Sequence, residues 1–369
     1  LVKRWAPIAE IVAAIAVALW VSRPWWWPGS FVTAFDTVAY TAPNYGVTIE
    51  SWRAGRLPLW NEFIFGGVTH LGNPQAGALS PTKMIGLVFE THRALGVTVA
   101  AHLVLIAVGT VLLMRRLGVR PPFALVSAIV TVANGAVLTR STQFEQIVVL
   151  AWLPLLLLAI TAVIETPSRD TTWARPWLAI AALAGIGALA LLAGHPQTLY
   201  QVLLVAVVWA TALIIGHRAW WRLIDLALGA VIAAMIAGLQ LVAAVAAVAD
   251  SAAGEGRTFE QLRDPALSTS PRHLPGAFLG SVRGTPQVEV AGSFEGIAAV
   301  GVMVMVLSVI GVVAWWRQRS TRALAIAMSG LAVISVIWAL GPRTPIFRIA
   351  WEVLPGFDLA RASSRWLTV

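Results

Sequence analysis

The sequence predicts an all-α fold: a polytopic transmembrane bundle of about nine spans, with a large first outer loop that contains interfacial helices. Three observations predict it. Of 369 residues, 58% are hydrophobic and only 12% are charged, against roughly 25% charged in a soluble domain. Mean hydropathy is +0.79. Apolar runs of about the 17 to 25 residues needed to cross a bilayer recur along the chain, separated by short arginine-bearing connections.

The first run, 7–21, follows Lys3 and Arg4 and has the core of a signal peptide. It ends in SRPWWWPGS, without a small-residue cleavage site, so it reads as an uncleaved span. Trp25, Trp26 and Trp27 then form an interfacial aromatic belt. Further spans are expected at 98–114, 123–138, 146–164, 177–193, 198–215, 223–248, 295–315 and 323–340.

Arginines orient the bundle. Lys3 and Arg4; Arg115, Arg116 and Arg120; Arg169 and Arg175; Arg218 and Arg222; and Arg317, Arg319 and Arg322 fall in alternate connections. The positive-inside rule places these, and the N-terminus, in the cytoplasm. The first large loop (23–97) and a second one (250–294) then lie outside, as do RSTQFEQ, GHPQTLYQ and everything after Gly341. The whole chain, 1–369, reads as one membrane domain. It stops at ARASSRWLTV, which has the pattern of a beginning helix, so a longer protein is expected.

Some function classes fall away. The net charge of +9 is spread over short loops and forms no basic patch for nucleic acid. There are no cysteines, hence no disulfides or thiolate metal sites. No GxxxxGK[ST] or strand-linked GxGxxG motif occurs, and no His/Asp/Glu set has zinc spacing. No cofactor is expected; a divalent metal stays open.

The unusual polar residues gather on the expected outer face. Asp36, in FDTVAY, is either an N-cap of the helix that follows or a carboxylate held at the membrane surface as a base. That helix carries Tyr45, Ile49 and Trp52 at helical spacing and is too short to span, so it is expected along the interface. The stretch PLWNEFIFGGVTHLGNPQ has the proline, glycine pair and Asn-Pro of a built loop. It supplies Trp60, Asn61, Glu62, His70, Asn73 and Gln75 as candidate substrate contacts. For His70 the alternative is a hydrogen bond within the loop, and for Glu62 a solvated charge. His195, Gln197 and Tyr200 lie at a very short connection, where polar groups tend to line a cavity. Gln240, deep in the seventh span, needs a partner inside the bundle. Arg361 and Arg365, four apart, present two guanidiniums on one helix face and suit a phosphate or diphosphate.

The segments FDTVAY, GRLPLWNEFIFGG, NPQ, FEQIVVLAWLPLLLLA, GHPQTLYQ, LQLVAAVAAVADSAAGEGR, SFEGIAAVGVMVMVL and LPGFDLARASSR follow one another in an order and spacing that resembles the bacterial YfhO-like membrane proteins. This family is similar to the GT-C class of polyprenyl-phosphate-dependent glycosyltransferases. The likeness covers almost the whole chain and is most specific at PLWN, the glycine pair and NPQ. Family members often have proline where this chain has Glu62.

The resemblance implies a GT-C-like bundle, an acidic site residue in the first outer loop, a polyprenyl-phosphate-linked sugar as donor and a cell-envelope glycopolymer or lipid as acceptor. It implies a multi-pass protein of the bacterial cytoplasmic membrane, in contact with membrane lipids. On that expectation Asp36 deprotonates the acceptor hydroxyl in an inverting transfer, and Arg361 with Arg365 grips the phosphate. The competing readings are a flippase or transporter of lipid-linked sugars and a non-catalytic assembly partner. A transporter would show internal repeats and broken helices.

Overall fold

A computed structural model describes residues 2–29, 35–166, 174–251, 258–263, 267–280, 294–319, 321–360 and 362–368. The protein is mainly helical among the described residues, with one pair of two-residue strands. Among the described residues four helices are long and apolar enough to cross a membrane, and one bent pair passes the same test. The chain divides into two compact units. One comprises Leu1–Ala133, Arg140–Leu199 and Trp220–Val248; the other comprises Asn134–Thr139, Tyr200–Ala219 and Ala249–Val369.

The first unit opens with α1 (Val2–Val21) and a short α2 (Arg23–Trp26). A π-helical turn, Thr37–Thr41, runs into α3 (Ala42–Arg53), with Pro43 near its start, where a missing N–H costs nothing. Two short antiparallel strands, β1 (Trp60–Asn61) and β2 (Val68–Thr69), make a hairpin with Trp60 opposite Thr69. The short α4 (Ile85–Val88) leads to α5 (Thr91–Arg116), 26 residues without proline, closed by Arg115 and Arg116 at the end where the helix dipole favours cations.

Then come α6 (Phe123–Ala133), α7 (Gly135–Arg140), α8 (Phe144–Leu150), α9 (Leu153–Glu165), α10 (Ala174–Leu192), α11 (Pro196–His217), α12 (Arg222–Ile236) and α13 (Gly238–Ala249). Gly96 lets α5 touch α2: a Cβ there would stand 1.8 Å from the Trp25 carbonyl oxygen.

Carboxylates meet arginines at the helix ends. Arg116 Nε lies 2.8 Å from Glu165, and Arg115 Nε 3.7 Å from the buried Glu10. Arg222 holds Asp225 at 2.7 Å and donates to the Thr166 carbonyl. Several arginines that read as bare orientation signals are therefore paired in the fold.

The second unit takes in most of α7 and α11, then α14 (Leu274–Leu279), α15 (Val302–Arg317), α16 (Arg322–Ala339) and α17 (Pro345–Val353). Its core is aromatic. Phe357 stacks on Trp366 with centroids 5.5 Å apart, and Trp338 meets both rings edge-on. Thr344 caps α17 by accepting from Phe347 N. The Leu267 carbonyl receives both the backbone N–H and the hydroxyl of Ser364, each at 3.0 Å.

Three expected spans differ in detail from the helices that form. The run 123–138 stops at Ala133, because Asn134 caps a new helix by accepting from Val137 N at 2.9 Å. The run 146–164 begins earlier, at Phe144, and extends to Glu165 as one of the four candidate spans, with a local interruption between Leu150 and Leu153, just before Pro154. The run 223–248 is broken at Ala237, with α12 and α13 bent by 73°.

Candidate functional site

The polar residues of the first unit converge where the π turn meets the start of α8. Asp36 immediately precedes the turn, with φ −62° and ψ −35°. This backbone is already helical and its side chain makes no capping bond. Asp36 is exposed, so the N-cap alternative does not describe it. Two threonines staple the turn to α8 and to the segment just before it. Thr37 donates to the Thr142 carbonyl at 3.1 Å, and Thr41 donates to Glu145 Oε1 at 2.6 Å. A π turn is an uncommon geometry that often marks functional sites.

Glu145 occupies the first turn of α8, where the helix dipole stabilises a carboxylate. Asp36 and Lys83 both lie within its electrostatic range. Lys83 comes from a 3₁₀ turn, Pro81–Met84; its ammonium donates to the Ala76 carbonyl and sits 5.3 Å above the Tyr45 ring. Burial pulls the Lys83 amine down to about 8, and the Glu145 carboxylate works against that fall.

Two tyrosines brace the arrangement. Tyr40 donates to Asn73 Oδ1 at 2.9 Å, and burial holds its phenol up at about 12, so it remains a donor. Tyr45 is fully buried, donates to the Lys83 carbonyl at 3.0 Å and is likewise raised to about 12 by burial.

The remaining candidates divide between bracing and exposure. His70 is fully buried. Thr48 gives its hydroxyl proton to the Asn44 carbonyl, so it accepts from His70 Nε2 at 2.9 Å, which fixes the tautomer. His70 therefore locks the loop onto α3, the hydrogen-bonding alternative, and presents no surface to a substrate. Asn61 is also buried: it accepts from Phe63 N and donates to Asn44. Trp60, Glu62 and Gln75 are exposed. Asn73, half-buried, accepts from both Tyr40 and the Gln75 backbone.

His195 Nδ1 accepts from Thr198 N at 3.2 Å and contacts the Thr198 hydroxyl at 2.8 Å, which tethers the start of α11. Gln197, half-buried, follows it. Tyr200 packs edge-on against Phe357 and Trp366 in the second unit. The two loops NPQ and GHPQ touch backbone to backbone. Gly77, at φ +53°, would place a Cβ 2.8 Å from the Ala193 carbonyl oxygen, so only glycine fits. Arg365 belongs to a 3₁₀ helix, Ser363–Thr368, and pairs with Glu295 at 2.7 Å. Arg361 lies outside the described residues.

A family model described as a domain of unknown function (DUF6311) matches residues 78–367. The chain belongs to this family. No curated protein matches it. The DUF6311 match takes in Lys83, Glu145, Gln240, Glu295 and Arg365 and starts after Asp36 and the hairpin.

Sequence reasoning passed over Glu145 and Lys83 as site residues. The signal was present in FEQIVVL, where a carboxylate heads a long apolar run, an arrangement that is costly unless partnered or used. Among the described residues of this DUF6311 member, no group of three or more His, Asp or Glu is placed to hold a metal ion. Two carboxylates, one exposed and one engaged, beside a buried ammonium can accept a proton and hold a fixed field around it.

Proposed function

We propose that the chain is an inverting membrane glycosyltransferase of the GT-C, YfhO-like kind. It moves a sugar from a polyprenyl-phosphate donor to a cell-envelope acceptor, a teichoic-acid-like polymer or a glycolipid, on the outer face of the bacterial cytoplasmic membrane. The observation that carries this reading is the meeting of Asp36, Glu145 and Lys83 in a unit built otherwise from apolar helices.

In the proposed reaction the acceptor hydroxyl attacks the anomeric carbon from the side opposite the phosphate. The bond from that carbon to the phosphate oxygen breaks, and its electron pair leaves with the polyprenyl phosphate. The hydroxyl proton passes to Asp36. Glu145 is engaged by Thr41, which leaves the exposed Asp36 as the base, while Lys83 supplies a fixed positive field.

The arginine alternation supports an N-terminus in the cytoplasm. Four shorter apolar helices, Ile8–Val21, Phe123–Ala133, Pro176–Leu192 and Val302–Arg317, support a count of nine spans when each is taken to cross with help from the interface. The 73° break between α12 and α13 favours a second reading, transport or flipping of a lipid-linked sugar, since transporters use discontinuous helices.

Asp36→Asn tests the first reading. A deletion strain should lose an envelope glycan that the unmodified protein restores. The variant, at equal expression, should fail to restore it, with transfer down two to four powers of ten. Normal glycan from Asp36→Asn would end the assignment. Detergent-solubilised protein separates enzyme from transporter, because transfer to added acceptor survives the loss of compartments and flipping does not.

A further inference from the structure

The hairpin of β1 and β2 ends in a tip whose aromatic rings stand clear of the protein: Phe65 is 95% exposed and Phe63 71%. This tip is built. Asn61 Oδ1 accepts from Phe63 N at 3.0 Å, Gly67 N donates to the Ile64 carbonyl at 2.8 Å, and Asn61 ties the root to Asn44. Phe65 holds φ +53°, a left-handed conformation that side chains rarely adopt, although Gly66 and Gly67 follow directly. A bulky ring held outward at a strained turn is an uncommon arrangement, of the kind that strain retains at functional sites.

We infer that the tip is a lipid anchor: Phe63 and Phe65 enter the acyl region of a membrane leaflet, with Trp60 at the level of the headgroups. Two phenyl rings on a narrow turn are far below the area of about 1,000 Å² that a specific protein interface needs. They match the acyl boundary, where aromatic side chains gain by leaving water. Trp60, exposed at the root, has the apolar body and polar edge that favour the interface. Arg56, exposed on the approach to the hairpin, suits a lipid phosphate, while Arg53 beside it is exposed but donates from Nη2 to the Gly86 carbonyl at 2.9 Å. Glu50 and Glu62 are also exposed there and would face the aqueous side of the headgroups. The chain already carries helices long and apolar enough to cross the same bilayer. The inference stands apart from the transferase reading, and failure of either leaves the other intact.

The absence of cysteine makes the test direct. Phe65→Cys, and separately Phe63→Cys, is labelled with an environment-sensitive NBD probe. The full chain is reconstituted at one copy per vesicle in phosphatidylcholine and phosphatidylglycerol. The expected result at both positions is blue-shifted emission, with quenching by 5-doxyl lipid several-fold stronger than by aqueous iodide. Iodide quenching without doxyl quenching would place the tip in water and overturn the inference. Blue-shifted emission quenched by neither agent would show the rings covered by the protein itself, which overturns it equally.

Discussion

His70 shows how one buried side chain turns acidity into instability. Burial, reinforced by the nearby Lys83 charge, lowers its imidazole from 6.5 to about 4. Between those values the unfolded chain binds the proton and the folded one refuses it. The stability from neutral His70 is therefore complete above pH 6.5 and drains away as pH falls towards 4, by at most about 3 kcal/mol. His70→Gln keeps a donor for Thr48 and cannot titrate. Thermal unfolding of the solubilised protein should show a flatter profile over that window for the variant than for the parent. Identical profiles would mean that His70 is not the group responsible.

At the scale of elements, the break between α12 and α13 is held open by a side chain. Gln240 Oε1 accepts from Leu79 N at 2.9 Å, and its Nε2 donates to the Leu192 carbonyl at 3.2 Å. One amide thus joins the first loop, the end of α10 and the second half of the bent pair. The expected bundle partner for Gln240 exists, but it is backbone in two other segments. Gln240→Leu leaves both groups unsatisfied and should cost about 1–3 kcal/mol for each buried one. Limited proteolysis should then cut near Leu79 faster than in the parent. An unchanged cutting rate would remove Gln240 from that role.

The same elements show what the sequence could reveal. The spacing of Tyr45 and Ile49 marked α3 and its inner face correctly, because helical periodicity is a local property. Asn134-Gly135 was a legible break that apolar composition concealed. The bend at Ala237 left no such trace: its stabilising contact lies 161 residues away. Glu145 and Thr41 are 104 residues apart, so their meeting is a product of folding that no motif announces.

For the whole molecule, orientation is the property to measure. Ala54 lies in the first loop and Gln318 beside Arg317, both exposed. Cysteines introduced singly there should respond differently to a membrane-impermeant maleimide on intact cells. Ala54→Cys should label at once, and Gln318→Cys only after permeabilisation. The reverse pattern would invert the scheme and move the Asp36 site to the cytoplasmic side.

The ion pair between Arg116 and Glu165 bears on how such a chain is made. Arg116 ends with Glu165 as its partner, and Glu165 is synthesised 49 residues later. On the proposed topology, that arginine would be a bare charge while α5 is inserted and would count fully towards orientation, whereas acidic residues count little. Only when α9 arrives does the carboxylate cover it. Order of synthesis lets one guanidinium act first as an address and afterwards as a joint, and a carboxylate encoded downstream of its arginine leaves the address readable.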